Sequence, residues 1–184
     1  ELIATMGERV LVAHEVWTGG SDASAFEIER FRLAEVAADG RIRATILFDP
    51  EDRAAAFLEA LERFATGEAA TMGAEAAILI GYQFAGAHVR RDWEALRETL
   101  APEFVYHDHR ALGVLGRLDR DQWVASIRAQ VDISSDAALE TQRLLTWNRH
   151  GVVAVYRTFG TVPGGGLFER VLVGVVHVRD RRFQ

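Results

Sequence analysis

Phe104-Val-Tyr-His-Asp-His-Arg110 sets a tyrosine, two histidines, an aspartate and an arginine together just after a short apolar stretch. These side chains can move protons, and polar groups beside a hydrophobic wall are where working pockets form. On an extended strand neighbours alternate sides, so Asp108 shares a face with Tyr106 while His107 and His109 share the other. Only one face can look into a cavity. A carboxylate in an apolar cavity has its charged form destabilised and its pKa raised, which suits a base working near neutral pH. Tyr106 on the same face could then donate a hydrogen bond to a developing oxyanion. The alternative makes Tyr106 a rim aromatic and pairs Asp108 with Arg110, which lowers the carboxyl pKa instead. His-x-His is also a metal-ligand spacing, but a third ligand would have to come from His150, Glu169 or His177, and no motif gathers them. No metal is expected.

Helices must position this strand. Asp92–Leu100 is amphipathic and stops at Ala101-Pro102, feeding the polar strand directly. Before it, Ile78, Leu79, Tyr82, Ala85, His88 and Val89 share a helical face that ends at Arg90-Arg91. After it comes a glycine-punctuated segment, 111–118. Asp119 or Asp121 then caps a helix carrying Trp123, Val124, Ile127 and Val131. Trp93, Trp123 and Tyr82 lie at helical spacing and are mostly core, with a share in lining a pocket. Residues 139–148, 151–159 and 167–178 read as strands, the last two joined by Pro163-Gly-Gly-Gly166. Along the last strand Glu169, Val171, Val173, Val175 and His177 take one face, and Phe168, Leu172, Val176 and Val178 the other. Arg157 and Glu169 make a reasonable ion pair.

The first third is strand-rich. Residues 2–17 read as strand, Thr18–Asp22 as a turn, and 25–36 and 41–48 as two more strands. Asp49-Pro50-Glu51 signals a helix with Phe57, Leu58, Leu61 and Phe64 on one stripe. Residues 67–73 look like a linker. Helices followed by antiparallel strands give an α+β class with a curved sheet. Residues 2–36 also lie over 144–178 without a gap, matching Leu2/Leu144, Val10/Val152, Phe26/Phe168, Glu27/Glu169 and Val36/Val178. The chain, opening on Glu1, reads as a window cut from a tandem array.

Composition narrows the partners. The 184 residues are 49% hydrophobic, enough for a core, and the net charge is −6 with no basic block interleaved with aromatics. Nucleic acid and anionic membrane are poor partners for such a chain. Absence of cysteine rules out disulfides and fits a cytoplasmic location. No apolar run reaches the length of a membrane span. Phosphate loop, nucleophile elbow and dinucleotide fingerprint are all missing, so no cofactor is expected.

The order of elements resembles the nuclear transport factor 2-like superfamily, above all its ketosteroid-isomerase and SnoaL-like polyketide-cyclase branch. Three features carry the resemblance. One is Asp92-Trp93 and Leu96 leading through Leu100-Ala-Pro-Glu-Phe104 to Asp108-His-Arg110. Another is Gly164-Gly-Gly-Leu-Phe168-Glu169 before an apolar strand, echoed by Ala25-Phe26-Glu27. The last pairs Asp39-Gly-Arg-Ile42 with Leu47-Phe-Asp49. The resemblance implies a cone-shaped, cystatin-like roll with an apolar cavity at its wide end and a homodimer formed through the sheet. Residues 1–66 would be the sheet half and C-terminal helix of one copy, and 74–184 a second, nearly complete one.

It also implies a catalytic place for Asp108, or for His107 and His109, with Tyr106 beside it. Trp93, Trp123, Tyr82, Arg157 and Glu169 are the ligand-binding candidates. Similar tandem copies are appended to long actinobacterial regulators, which favours a non-catalytic domain binding a small apolar molecule. An isomerase or cyclase using Asp108, and a pure dimerisation module, are the alternatives.

Overall fold

The computed structural model describes residues 1–21, 24–110, 113 and 115–184; Asp22 and part of the 111–118 segment lie outside the described residues. Strands β1 (Leu2–Met6), β2 (Val10–Gly19), β3 (Phe26–Val36) and β4 (Ile42–Phe48) form one antiparallel meander. The stretch read as a single strand over 2–17 is two, because Gly7 turns the chain at a φ of +63°. A side chain is barred there twice over, since a Cβ would lie 2.5 Å from the Phe64 ring. Asp49 takes the N-cap place with Pro50 after it, as expected, but its side chain makes no cap bond, and Pro50–Asp52 form a 3₁₀ turn that leads into helix α1 (Arg53–Phe64). Residues 67–73, expected as a linker, continue as helix through Thr71, with a π turn over Ala65–Ala69. That wider turn presents Glu68, whose carboxylate accepts the backbone N–H of Glu8 at 3.0 Å and ties down the β1–β2 turn.

Helix α2 (Glu75–Arg90) ends where Arg91 adopts the left-handed conformation, and Asp92 caps α3 (Trp93–Glu98) by accepting from the Ala95 N–H at 3.0 Å. The polar stretch forms β5 (Val105–His107), paired antiparallel with β6 (Arg117–Asp119). Asp119 and Gln122 make a reciprocal capping box at the start of α4 (Arg120–Ile133). Strands β7 (Ala138–Asn148), β8 (Gly151–Val162), β9 (Gly166–Arg179) and the short β10 (Arg182–Phe183) form the second meander.

The fold is α+β, a sheet wrapped around helices. Its eight strands run β10-β9-β8-β7-β1-β2-β3-β4. Every pairing is antiparallel except that of β1 with β7, which is parallel through Thr5 and Arg143. The exception lies where the two meanders meet, first strand against first strand. One core lies under α1 and α2, where Met6, Val12, Leu33, Phe64, Ile78 and Ala154 pack together. The other lies among α2, α3 and α4, where Ile80, Leu96, Leu100, Phe104, Ile127 and Val178 meet. Buried Glu140 of β7 is held by Arg53 of α1, whose Nη2 donates to Oε2 at 2.8 Å and whose Nε donates to Oε1. The Arg53 guanidinium also stacks on Phe31, Phe57 and Phe159.

The two meanders differ by one residue of register. In the first, Val10 of β2 faces Glu35 of β3. The matching residue Val152 of β8 faces Val176, not His177. Because side chains alternate, that single step turns β9 over relative to β3. Phe26 and Ile28 of β3 are half exposed on the outer face. Their sequence counterparts Phe168 and Arg170 instead join Leu172, Val176 and Val178 on the face toward the helices.

Phe64 has no exposure and meets Trp147 of β7 edge to face at 5.0 Å. Phe64→Ala is expected to cost about 3–5 kcal/mol in urea unfolding followed by tryptophan fluorescence.

Candidate functional site

Strand β5 turns Tyr106 inward and leaves Val105 and His107 exposed. Tyr106 stacks flat on Trp123 of α4, with ring centroids 3.9 Å apart and planes 8° from parallel. Burial raises the Tyr106 pKa, and the Asp108 charge adds to the rise. Asp108 lies on the same side, as alternation requires. His107 and His109 lie on the other, ring against ring at 3.9 Å and open to solvent. No group of His, Asp and Glu side chains that could hold a metal ion is formed among the described residues.

Asp108 is engaged by Arg110. The Arg110 Nε donates to Oδ1 at 2.8 Å, Nη2 donates to Oδ2 at 2.6 Å, and the Arg110 backbone N–H adds a third bond to Oδ1 at 3.2 Å. This bidentate pair holds the carboxyl at about 2, against an ordinary value of 3.8. The side chain is only 2% exposed, yet its cover is Arg110 and the adjoining turn and not the core, so the charged form keeps its stabilisation. Of the two readings open in the sequence, the geometry has Asp108 as the partner of Arg110. A carboxylate held near 2 has little tendency to take a proton at neutral pH.

Trp93 packs half-buried on the second core, edge-on to His88 at 6.4 Å. His88 is buried, and loss of solvent, helped by the nearby Arg91 charge, lowers its pKa to about 4. Arg157 and Glu169, expected among the ligand-binding residues, are placed elsewhere. They lie on the face of β8 and β9 opposite Phe168, Arg170 and Leu172, with Arg157 Nη2 donating to Glu169 Oε2 at 3.1 Å. Arg157 also stacks on Phe159 at 4.3 Å and lies 3.9 Å from Glu140, the partner of Arg53. Odd positions of both strands share this face, which separates the pair from the even-numbered residues of β9.

Two cavities are relevant. A cleft of about 530 Å³ between α2, α3 and the β9–β10 turn is lined by Tyr82, Gln83, Arg90, Glu98, Arg181 and Arg182. It is polar, and of the expected residues it includes Tyr82 alone. A smaller pocket of about 270 Å³ lies between the end of α4 and the β8–β9 hairpin, lined by Gln130, Ile133, Ser134, Val162, Phe168 and Arg170. Its surface is almost wholly apolar. Trp93, Trp123, Tyr82, Arg157 and Glu169 do not line it. The pocket connects electrostatically with the polar strand, because the Arg170 charge acts on both Tyr106 and Asp108.

The pocket wall is built by close approach. Gly160 stands opposite Phe168, and a Cβ on it would lie 2.5 Å from the Ser134 hydroxyl and 3.0 Å from the Phe168 ring. Asp136 accepts from the Ser134 hydroxyl at 2.8 Å and from the Thr161 N–H at 2.9 Å, pinning the end of α4 to β8. The Thr161 N–H above all, with Ser134, keeps the Asp136 carboxyl at about 2.

Arg170 is the residue that sequence reasoning missed. The alternation assigns its neighbours Phe168 and Leu172 to one face, and an arginine between them on that face is out of keeping with the valines around it. Parity groups it with Phe168 and Leu172, and the pairing of β9 with β8 turns that group inward.

No family model matches the chain, and no curated protein does. Several solved structures are similar over a little more than half of it. An NTF2-like protein of unknown function from Burkholderia pseudomallei K96243 is 18% identical, with a TM-score of 0.48, over 59% of this chain and 85% of that one. A protein with a ketosteroid isomerase-like fold from Catenulispora acidiphila DSM 44928, solved with trimethylamine, is 18% identical, with a TM-score of 0.47, over 56% and 78%. A loop-truncation variant of IdmH is 24% identical, with a TM-score of 0.45, over 55% and 81%. None of the described helices is long and apolar enough to cross a membrane.

A carboxyl-resolved NMR titration is expected to place the Asp108 midpoint near 2, and Arg110→Ala to return it toward 3.8. Since the native pKa is depressed, the pair adds stability above the unfolded value and loses it as pH falls through 2. A midpoint above 4 would return Asp108 to the list of neutral-pH bases.

Proposed function

We propose that this chain binds a small, mostly apolar molecule in the pocket between α4 and the β8–β9 hairpin, as a non-catalytic accessory domain. The observation that carries this is the pocket itself: Ile133, Val162 and Phe168 form an apolar wall around about 270 Å³, with Arg170, Ser134 and Gln130 as its polar points. A concave apolar site with a few convergent polar groups is the usual form of a small-molecule site. The isomerase or cyclase reading draws less support, because its base would need a raised pKa and Arg110 lowers that of Asp108.

Native mass spectrometry of freshly purified protein, repeated under denaturing conditions, tests the reading. A small adduct present in the first spectrum and released in the second is expected. Phe168→Ala should reduce its occupancy several-fold, while Asp108→Asn should leave it nearly unchanged. Protein free of adduct that also fails to take up any member of a panel of apolar compounds would overturn the proposal.

A second reading concerns the outer face of the same sheet. Leu167, Val171, Val173 and Val175 are 87%, 53%, 61% and 79% exposed along β9, with Val173 and Val175 directly opposite Val155 and Val153 of β8. A flat row of β-branched side chains on adjacent strands suits a second copy of the chain, sheet face to sheet face. Sedimentation velocity is expected to show a dimer that Val175→Glu converts to monomer. A wild-type monomer at 100-fold dilutions spanning the micromolar range would dismiss it.

A further inference from the structure

Arg170 brings a charge to the inner face of β9 without a counter-ion among the described residues. It stands opposite buried Thr158 of β8, and its Nε is sealed from solvent with no hydrogen-bond acceptor among the described residues. The carboxylates close to it are committed elsewhere. Asp108, on which its charge acts, has both oxygens taken by Arg110. Glu169, its neighbour in the chain, points to the opposite face and binds Arg157. A guanidinium nitrogen sealed from solvent without an acceptor is costly, and native folds keep such groups only where something satisfies them.

The guanidinium borders the pocket, whose remaining lining is Ile133, Val162 and Phe168 with the neutral Ser134 and Gln130. A planar fork of N–H donors matches a carboxylate two bonds at a time. A single fork with no second cation in the lining matches one negative charge better than the two of a phosphate monoester. We infer that the ligand of this pocket is a small carboxylic acid, its carboxylate on Arg170 and its apolar body against Ile133, Val162 and Phe168. The inference rests on the reading of this pocket as the ligand site and adds the charge of what fills it.

Calorimetric titration with octanoate and octanamide, which share an apolar body and differ in charge, separates the two ideas. Wild-type protein is expected to bind octanoate at least ~10-fold more tightly than octanamide, the usual worth of a charge-assisted pair. Arg170→Met should remove that preference while keeping octanamide affinity within about threefold, and Arg170→Lys should retain part of it. Equal affinity for the two probes in the wild type overturns the carboxylate assignment and leaves an apolar pocket standing. Binding of neither probe overturns both. The wild-type comparison decides even if Arg170→Met fails to fold.

Discussion

Phe64 stands where the two halves of the sheet meet. The first meander and the second share a single parallel pairing, at Thr5 and Arg143, and one pairing cannot hold two sheets in one plane. The ring of Phe64 closes the gap beneath it, edge-on to Trp147 of one half and under Gly7 of the other. Its place depends in turn on the π turn that follows, because Glu68 there holds the chain at Glu8. Packing and turn chemistry so act together: Gly7 bends because Phe64 needs the space, and the bend separates β1 from β2. Without that joint, β7 would have an open edge and the first core would lose the wall that Leu144 and Trp147 supply.

Charge is distributed with comparable economy. Glu140, Glu169 and Asp108 each have an arginine, from Arg53, Arg157 and Arg110 respectively. These pairs lie at helix ends, on the outer sheet face and in the turn after β5. The interior is left with Tyr106 stacked on Trp123, and with Arg170. Buried His88 of α2, its pKa lowered by loss of solvent, stands apart from both, edge-on to Trp93.

Much of the architecture was legible in the sequence. Helical spacing placed α2, α3 and α4, and the Asp119 cap and the break at Arg91 followed from local residue types. Turn residues placed the β2–β3 and β8–β9 hairpins. The β1–β2 turn was not seen, because its need for glycine comes from Phe64, far away in the chain. The continuation of helix through Thr71 was missed for a related reason: Gly67 reads as a breaker, and the packing of buried Ala65 and Ala69 overrides it. Alternation correctly separated Tyr106 and Asp108 from the histidines, and Val171 from Leu172. It could not say which set faces inward, since both faces of β9 are apolar. Register decides that, and register is a property of pairs of strands.

The one-residue offset between the meanders has a consequence for engineering. Sequence matching suggests that the hairpin of residues 10–36 and that of 152–178 are interchangeable parts. They are not. A graft of the first onto the frame of the second, kept in its own pairing, would carry Phe26 and Ile28 to the solvent side and leave the place of Phe168 and Arg170 to Glu27 and Glu29. The chimera would preserve every strand and lose the concavity beside α4, so pairing phase alone, before any side chain has changed, decides whether such a hairpin is hollow.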